Sequence, residues 1–268
     1  MTDTPVRIGL QIQPEHAEYR QIRRAAAEAE ELGVDIVFNW DHFFPLDGDP
    51  DGRHFEAWTM LGAWAESTSR VEIGTLVSST GYRNPDLLAD MARTVDHISE
   101  GRLVLGIGAG WFERDYLEYG YEFATAGQRL DALAGDLPRI RSRWSRLNPP
   151  PTRPIPVLIG GGGERKTLRL VAEHADIWHC FGDVETLAHK ITVLRRHCAD
   201  IGRDIDDIEI STAVAGGPTP PGTPDVLGER MRALGVSLFT VGAHGPDYDL
   251  GVLKDWVAWR DDLATGTA

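Results

Sequence analysis

What most constrains the fold of this chain is an alternation of apolar strand and amphipathic helix that recurs eight times in 268 residues. Hydrophobic period and turn punctuation place the first strand at Arg7 to Ile12 and its helix from about His16 to Leu32. Asp35 to Trp40 follows, then a helix from Phe55 to about Ser67. The third strand is Val71 to Val77, and Asn84-Pro85 caps a helix reaching Ile98, with proline in the first turn where no N–H is needed. Arg102 to Ile107 forms the fourth strand. A segment rich in glycine and aromatic residues then leads to a helix over Ala126 to Trp144, ended by Pro149-Pro150-Pro151. The remaining strands are Ile155 to Ile159, Asp176 to Cys180, Ile208 to Val214 and Val236 to Val241. Their helices run near Glu164 to His174, Val184 to Ile201, Asp225 to Leu234 and Leu250 to Leu263. Nearly continuous apolar strands suit a parallel sheet buried on both faces, and eight such pairs in about 250 residues suit a TIM (β/α)8 barrel. No linker-like composition shift divides the chain, so a single domain is expected over 1–268. A doubly wound open sheet would carry its glycine-rich turn after the first strand, where this chain has Gln11-Ile12-Gln13-Pro14-Glu15.

The 27 basic and 41 acidic residues give a formal charge of −14, which repels phosphodiester backbones and anionic membranes alike. Neither nucleic acid nor a membrane is expected as a partner, and no apolar run approaches the roughly 20 residues that span a bilayer. Met1 to Pro5 has neither a basic start nor an apolar core, so a cytoplasmic location is expected. Cys180 and Cys198 sit in apolar segments without CxxC spacing, which reads as two buried thiols rather than a disulfide.

Function in such a barrel belongs at the C-terminal ends of the strands, and four of those ends are unusual. The second strand ends in Asn39-Trp40-Asp41-His42, the third in Leu76-Val77-Ser78-Ser79-Thr80, the fourth in Gly108-Ala109-Gly110-Trp111 and the fifth in Gly160-Gly161-Gly162-Gly163-Glu164. The glycine run converges backbone N–H groups ahead of a helix, an arrangement that cradles a phosphate. It nearly matches a Walker A loop, but Arg165 stands where the second glycine is required. Alone, Asp41 also reads as a turn cap and His42 as a structural residue. Together the four ends describe a site for a flat heteroaromatic ring that carries a phosphate. Metal-dependent hydrolysis would need clustered ligands such as His-x-His at the first strand, and Gln11-Ile12-Gln13 offers none; no metal site is expected.

These residues resemble the luciferase-like TIM-barrel oxidoreductases, in the branch that uses the deazaflavin coenzyme F420. The likeness covers nearly the whole chain. It rests on Asn39-Trp40-Asp41-His42-Phe43-Phe44, on Gly74-Thr75-Leu76-Val77 with Tyr82-Arg83-Asn84-Pro85, and on Gly101 to Trp111. Gly160 to Gly163 with Thr167-Leu168-Arg169-Leu170 and Ala175-Asp176-Ile177-Trp178 complete it. The resemblance implies a deazaflavin across the barrel mouth, its phosphate near Gly161, Gly162, Gly163 and Glu164. The ring would lie near Asp41, His42, Gly108, Ala109, Gly110 and Trp111, with Leu76, Val77 and Ser78 behind it and a non-prolyl cis peptide at Leu76-Val77. Hydride transfer between that cofactor and a small organic substrate is the implied reaction. His42 is the candidate proton carrier, with Glu113 next.

The chain departs from the sugar-phosphate oxidases of that family, which place a Glu directly after the fourth-strand glycines and Thr and Lys after the sixth strand. Here Trp111 and Cys180-Phe181-Gly182-Asp183 stand there, so sugar-phosphate oxidation is not expected. The short Ser145 to Thr152 connection implies an open substrate side. Trp40, Trp58, Trp64, Trp111 and Trp178 are candidates for an aromatic wall, of which Trp58 and Trp64 read first as packing residues. Two other readings use the same cradle: an FMN-dependent monooxygenase, and a cofactor-binding protein without turnover. Partners are expected to be small molecules only, with the chain a monomer or homodimer.

Overall fold

Alternate residues of each strand face two different apolar environments, and this division builds a closed barrel in the computed structural model, which describes residues 5–217 and 222–266. In chain order the elements are β1 (Arg7–Ile12), α1 (Tyr19–Leu32), β2 (Ile36–Asn39), α2 (Ala57–Ser67), β3 (Glu72–Thr75), β4 (Ser78–Ser79), α3 (Pro85–Ile98) and β5 (Leu103–Gly108). Then come α4 (Glu113–Glu118), α5 (Ala126–Trp144), β6 (Val157–Gly160), α6 (Thr167–His174), β7 (Ile177–His179), α7 (Val184–Ile201), β8 (Glu209–Ala215), α8 (Glu229–Arg232), β9 (Val236–Ala243) and α9 (Gly251–Thr265). Every strand pairing is parallel, and the β3 to β5 contact closes the ring that runs from β3 through β2, β1, β9, β8, β7 and β6. The expected third strand, Val71 to Val77, is β3 as far as Thr75, and β4 continues its line beyond Val77.

Outward residues such as Ile8, Leu10, Ile12, Val37, Ile73 and Ile159 pack under the helices in one large core. Inward residues stack in layers. At the N-terminal end Arg7 pairs with Glu72 and, at 2.8 Å, with Glu209. Above it Ile36, Phe38, Val104, Leu158, Ile177 and Leu238 form an apolar plug. The plug leaves the C-terminal mouth for polar side chains, as the barrel architecture demands.

Several boundaries differ from the sequence reading for identifiable reasons. His16 has φ 55 and its N–H donates to Arg53 O, so α1 starts only at Tyr19, after a capping box between Glu18 and Gln21. The expected helix from Asp225 to Leu234 is a π-helical turn over Pro224–Gly228 followed by the short α8. There Gly228 lies so close to Trp259 and Trp256 that a Cβ would stand 2.8 Å from the Trp259 ring. α6 begins at Thr167 rather than Glu164, so a turn separates the glycine run from the helix. Helix α4, unforeseen in the glycine-rich segment, is the change with the greatest consequence for the site.

The peptide between Leu76 and Val77 is cis, at the bond where the resemblance placed it. From Gly74 to Ser78 the chain advances four residues while β5 advances three, from Val104 to Ile107, so the strand bulges. Gln11 Nε2 donates to the displaced Leu76 carbonyl at 2.9 Å. Both cysteines are free and buried. No helix among the described residues is long and apolar enough to cross a membrane, and none of their acidic, His or Cys groups cluster as a metal site.

Candidate active site

A cavity of about 1090 Å³ opens at the C-terminal ends of the strands. Of the residues singled out from the sequence, Asp41, His42, Leu76, Val77, Gly108, Ala109, Gly110, Trp111 and Gly161 line it. Gly162, Gly163 and Glu164 line an adjoining recess of about 410 Å³, which shares Leu130 and Thr167 with the main cavity. Two expected residues line neither. Ser78 is fully buried behind the wall, accepting a hydrogen bond from Trp58 Nε1 at 2.8 Å, and the bulge turns Ser79 to the cavity instead. Glu113 is exposed on the first turn of α4.

The acid that meets His42 is Asp115, two residues further along α4. His42 Nδ1 lies 2.7 Å from Asp115 Oδ2, which also accepts from Tyr82 OH at 2.7 Å, while Asp115 Oδ1 accepts from the Phe43 N–H at 3.1 Å. Asp115 is fully buried. A carboxylate only accepts, so Nδ1 must carry the proton, which leaves the Nε2 lone pair of the neutral ring for the cavity. Three aromatic rings, Trp40, Trp111 and Phe112, surround His42 at centroid distances of 6.1, 5.8 and 5.6 Å and hold its plane. Burial and the neighbouring Asp115 charge push the Tyr82 phenol well above its usual range, so it remains a donor.

Asp41, adjacent to His42 in sequence, faces a different partner. Arg83 Nη2 donates to Asp41 Oδ1 at 3.0 Å, Arg83 Nη1 donates to Asp41 Oδ2, and Arg83 Nη2 also reaches Glu56 Oε1 at 2.6 Å. Asp41 has 1% of its surface exposed. Burial pushes its carboxyl above the usual range and Arg83 opposes that shift, while Asp41 and Glu56 hold the guanidinium charged. Asp41 is thus a wall of the cavity whose charge is matched from behind.

The glycines divide into two uses. A Cβ at Gly108 would stand 2.9 Å from Val77 Cγ2 and one at Gly160 3.0 Å from Val77 Cγ1, so these two make room for the bulged valine. The cradle is the other use. Gly161 N–H already donates to His179 O at 2.9 Å. No hydrogen bond among the described residues claims the N–H groups of Gly162, Gly163 or Glu164. The Glu164 side chain is drawn aside by Lys190 at 2.6 Å and His189 at 3.1 Å. Gly162 also faces Cys180 Sγ, 2.8 Å from where a Cβ would sit, so a valine there would disturb packing as well as a ligand.

Other cavity residues gave no sequence signal beyond lying at strand ends: Gln11, Gln13, His179, Phe181 and His244. Of the tryptophans, Trp40 and Trp111 line the cavity, Trp111 with 63% exposure, while Trp58, Trp64 and Trp178 are packing residues. Burial lowers the imidazole of His179 to about 3 and that of His54, which accepts from Trp40 Nε1 at 3.3 Å, to about 4. Both protonate near 6.5 in an unfolded chain, so the unfolded state binds more protons as pH falls below 6.5. Their contribution to stability is complete above 6.5 and is lost progressively toward about 3 and about 4. His179→Leu should therefore flatten the acid side of the stability–pH curve relative to wild type, as read from urea midpoints. Parallel curves would mean that His179 is not held neutral.

Residues 2–216 match the family model of the luciferase-like monooxygenases. An uncharacterised protein of Mycobacterium tuberculosis is 30% identical over 183 residues, 60% of this chain and 64% of that relative. An F420-dependent glucose-6-phosphate dehydrogenase of Amycolatopsis mediterranei is 30% identical over 177 residues, 59% of this chain and 52% of the relative. The chain thus spans about half to just under two thirds of these relatives. Among solved structures, an F420-dependent secondary alcohol dehydrogenase in complex with an F420-acetone adduct superposes with a TM-score of 0.84 at 18% identity, covering 96% of this chain and 99% of that one. A riboflavin lyase with modified FMN superposes with a TM-score of 0.79 at 14% identity, covering 98% and 92%. The fold is shared with both, and the family match over most of the length shows that the chain belongs to the luciferase-like monooxygenase family.

Proposed function

We propose that the protein is an F420-dependent oxidoreductase that transfers a hydride between the deazaflavin and a small organic substrate. One observation carries this reading: a histidine of set tautomer faces a cavity whose adjoining recess presents three unclaimed backbone N–H groups, from Gly162, Gly163 and Glu164. The residues present fit the cofactor. Leu76 and Val77 offer an apolar support for a flat ring, with Gly108 to Trp111 beside it, and the recess offers the amide donors that a phosphate requires. Arg165 lines the same recess without an ion pair among the described residues. The named F420-dependent relatives support the assignment.

When bound, the deazaflavin supplies a carbon that accepts or returns a hydride. The chain's task is the accompanying proton. His42 Nε2, kept as an acceptor by Asp115 at Nδ1, takes a proton from a substrate hydroxyl in the oxidising direction. In the reducing direction the imidazolium gives it to the forming alkoxide. Asp115 stabilises the imidazolium, and the aromatic rings around His42 restrict water.

FMN is the second reading, favoured by the fold shared with the FMN-containing lyase and by the family's monooxygenases. Calorimetric titration with both cofactors separates the two, with the deazaflavin expected to bind more tightly. Equal or tighter FMN binding would overturn the deazaflavin assignment and leave the barrel untouched. Single-turnover oxidation of the bound reduced cofactor by a panel of ketones, imines and electron-poor alkenes distinguishes an enzyme from a binding protein.

A further inference from the structure

The wall of the cavity beside His42 holds a buried tyrosine whose hydroxyl has a single partner. Ser79 ends β4, and its Oγ accepts from the Gly81 N–H at 3.2 Å to open one helical turn over Thr80–Tyr82. Arg83, which clamps Asp41, and the cap residue Asn84 follow directly, so Tyr82 is fixed between that clamp and the start of α3. Its ring is tilted against Phe43 at 4.7 Å and Tyr116 at 5.0 Å, and lies nearly parallel to Tyr121 at 5.9 Å. Phenylalanine would make all of these ring contacts. What tyrosine adds is the hydroxyl, and its one hydrogen bond among the described residues runs at 2.7 Å to Asp115 Oδ2, the oxygen that also meets His42 Nδ1 at 2.7 Å.

Two donors on one oxygen divide its charge. Asp115 is fully buried, no lysine or arginine among the described residues pairs with it, and its other oxygen takes only the Phe43 N–H at 3.1 Å. A carboxylate in that setting pulls strongly on any proton within reach, because neither water nor a fixed cation offsets its charge. Each neutral donor reduces that pull. The Tyr82 phenol acts as a donor alone, since burial and the Asp115 charge hold it far above its usual range. The other charged and titratable groups around the trio are matched, neutral or turned away. Asp41 pairs with Arg83, which also reaches Glu56, and burial holds the His54 imidazole at about 4. Tyr116 shares a hydrogen bond with Ser79, and on α4 Glu113 is exposed while Arg114 turns to Asp51. Among the described residues, Tyr82 is therefore the one side chain besides His42 that bonds to the Asp115 carboxylate.

We propose that Tyr82 is a positioning residue for the proton step: its hydroxyl fixes Asp115 Oδ2 against His42 Nδ1 and weakens the hold of that carboxylate on the imidazolium, so that His42 releases a proton as well as taking one. This deepens the oxidoreductase reading and rests on it for the reaction, whereas the effect on His42 is read without any cofactor. The test is the ring titration of His42, followed by NMR in cofactor-free protein carrying isotope-labelled histidine. Its signal is assigned among the nine histidines as the one that His42→Asn removes. Tyr82→Phe keeps the ring and removes the hydroxyl. The His42 midpoint should then rise by about half a unit to one unit, or about three- to tenfold tighter proton binding, a fraction of the worth of a hydrogen bond to a charged group. In an Asp115→Asn background, Tyr82→Phe should leave the midpoint where Asp115→Asn alone puts it. A ring-fluorinated tyrosine at position 82 is a stronger donor and should move the midpoint the other way, which decides the matter if Tyr82→Phe folds poorly.

An unchanged or lowered midpoint in folded Tyr82→Phe overturns the proposal. A shift that survives Asp115→Asn also overturns it, because the phenol would then act on His42 by another route. In deazaflavin-loaded protein, the ionisation that His42→Asn removes from the pH–rate profile should rise in Tyr82→Phe as the NMR midpoint does, with cofactor affinity unchanged. A shift in the titration without one in the profile overturns the role in the reaction. If the wild type binds no deazaflavin or turns over no probe, the oxidoreductase reading falls separately, and the titration still decides whether Tyr82 acts on His42 through Asp115.

Discussion

Replacing His42 with asparagine is expected to lower turnover about 10²–10⁴-fold, the usual contribution of a positioned acid–base group, with cofactor affinity little changed. Asparagine keeps a polar side chain of similar reach and removes the titratable proton. Asp115→Asn should cost nearly as much from a position behind the cavity. An amide offers Nδ1 a donor as readily as an acceptor, and when it donates, the imidazole carries its proton on Nε2 and loses the lone pair the substrate needs. Because the two residues act as a unit, the double variant should be scarcely slower than the slower single one. Pre-steady-state kinetics and the pH–rate profile provide the check. The wild-type profile should lose one ionisation in His42→Asn. If His42→Asn abolishes cofactor binding, the residue is a ligand rather than a proton carrier. If binding and turnover are both unchanged, His42 has no part in the reaction.

The second large effect concerns stability. Arg83→Met leaves the buried Asp41 carboxyl without its counter-ion, and breaking one side of a buried pair typically costs about 3–5 kcal/mol. Asp41→Asn together with Arg83→Met removes both charges and should recover most of that loss. The deficit of the single variant should shrink as pH falls. Burial raises the folded carboxyl of Asp41 above its unfolded value of 3.8, so the folded variant gains a proton before the unfolded chain does. Urea unfolding followed by tryptophan fluorescence measures all three. A single variant as stable as wild type would mean that solvent, or a proton on the carboxyl, rather than Arg83 offsets the buried Asp41 charge.

Local rules made much of the site legible. A polar pair ending an apolar strand, Asp41-His42, marks the mouth of a parallel barrel because the preceding residues are buried on both faces and the strand end is not. The glycine run is legible for a similar reason: consecutive residues without Cβ have little value in packing. Which residues complete the site was not legible. Asp115 is 73 residues from His42, and Arg83 is 42 from Asp41. The choice between Glu113 and Asp115 depends on α4, which exposes the first and buries the second although both are acids in one short segment. The cavity-facing serine is Ser79 rather than Ser78, because a one-residue bulge reverses which side chains of a strand point inward.

The sequence by itself determined the order of strands and helices, the closed parallel barrel and the end of it where the candidate site opens, since all three follow from hydrophobic period and from glycine and proline punctuation along neighbouring residues. Only the tertiary structure decided the partners. Asp41 faces Arg83 rather than His42, Asp115 sets the histidine tautomer, and His179 and His42, on strands remote in the chain, line one cavity. Burial and hydrogen-bond pairing depend on distances in space between residues remote along the chain, and those distances arise only when eight strands close into a ring.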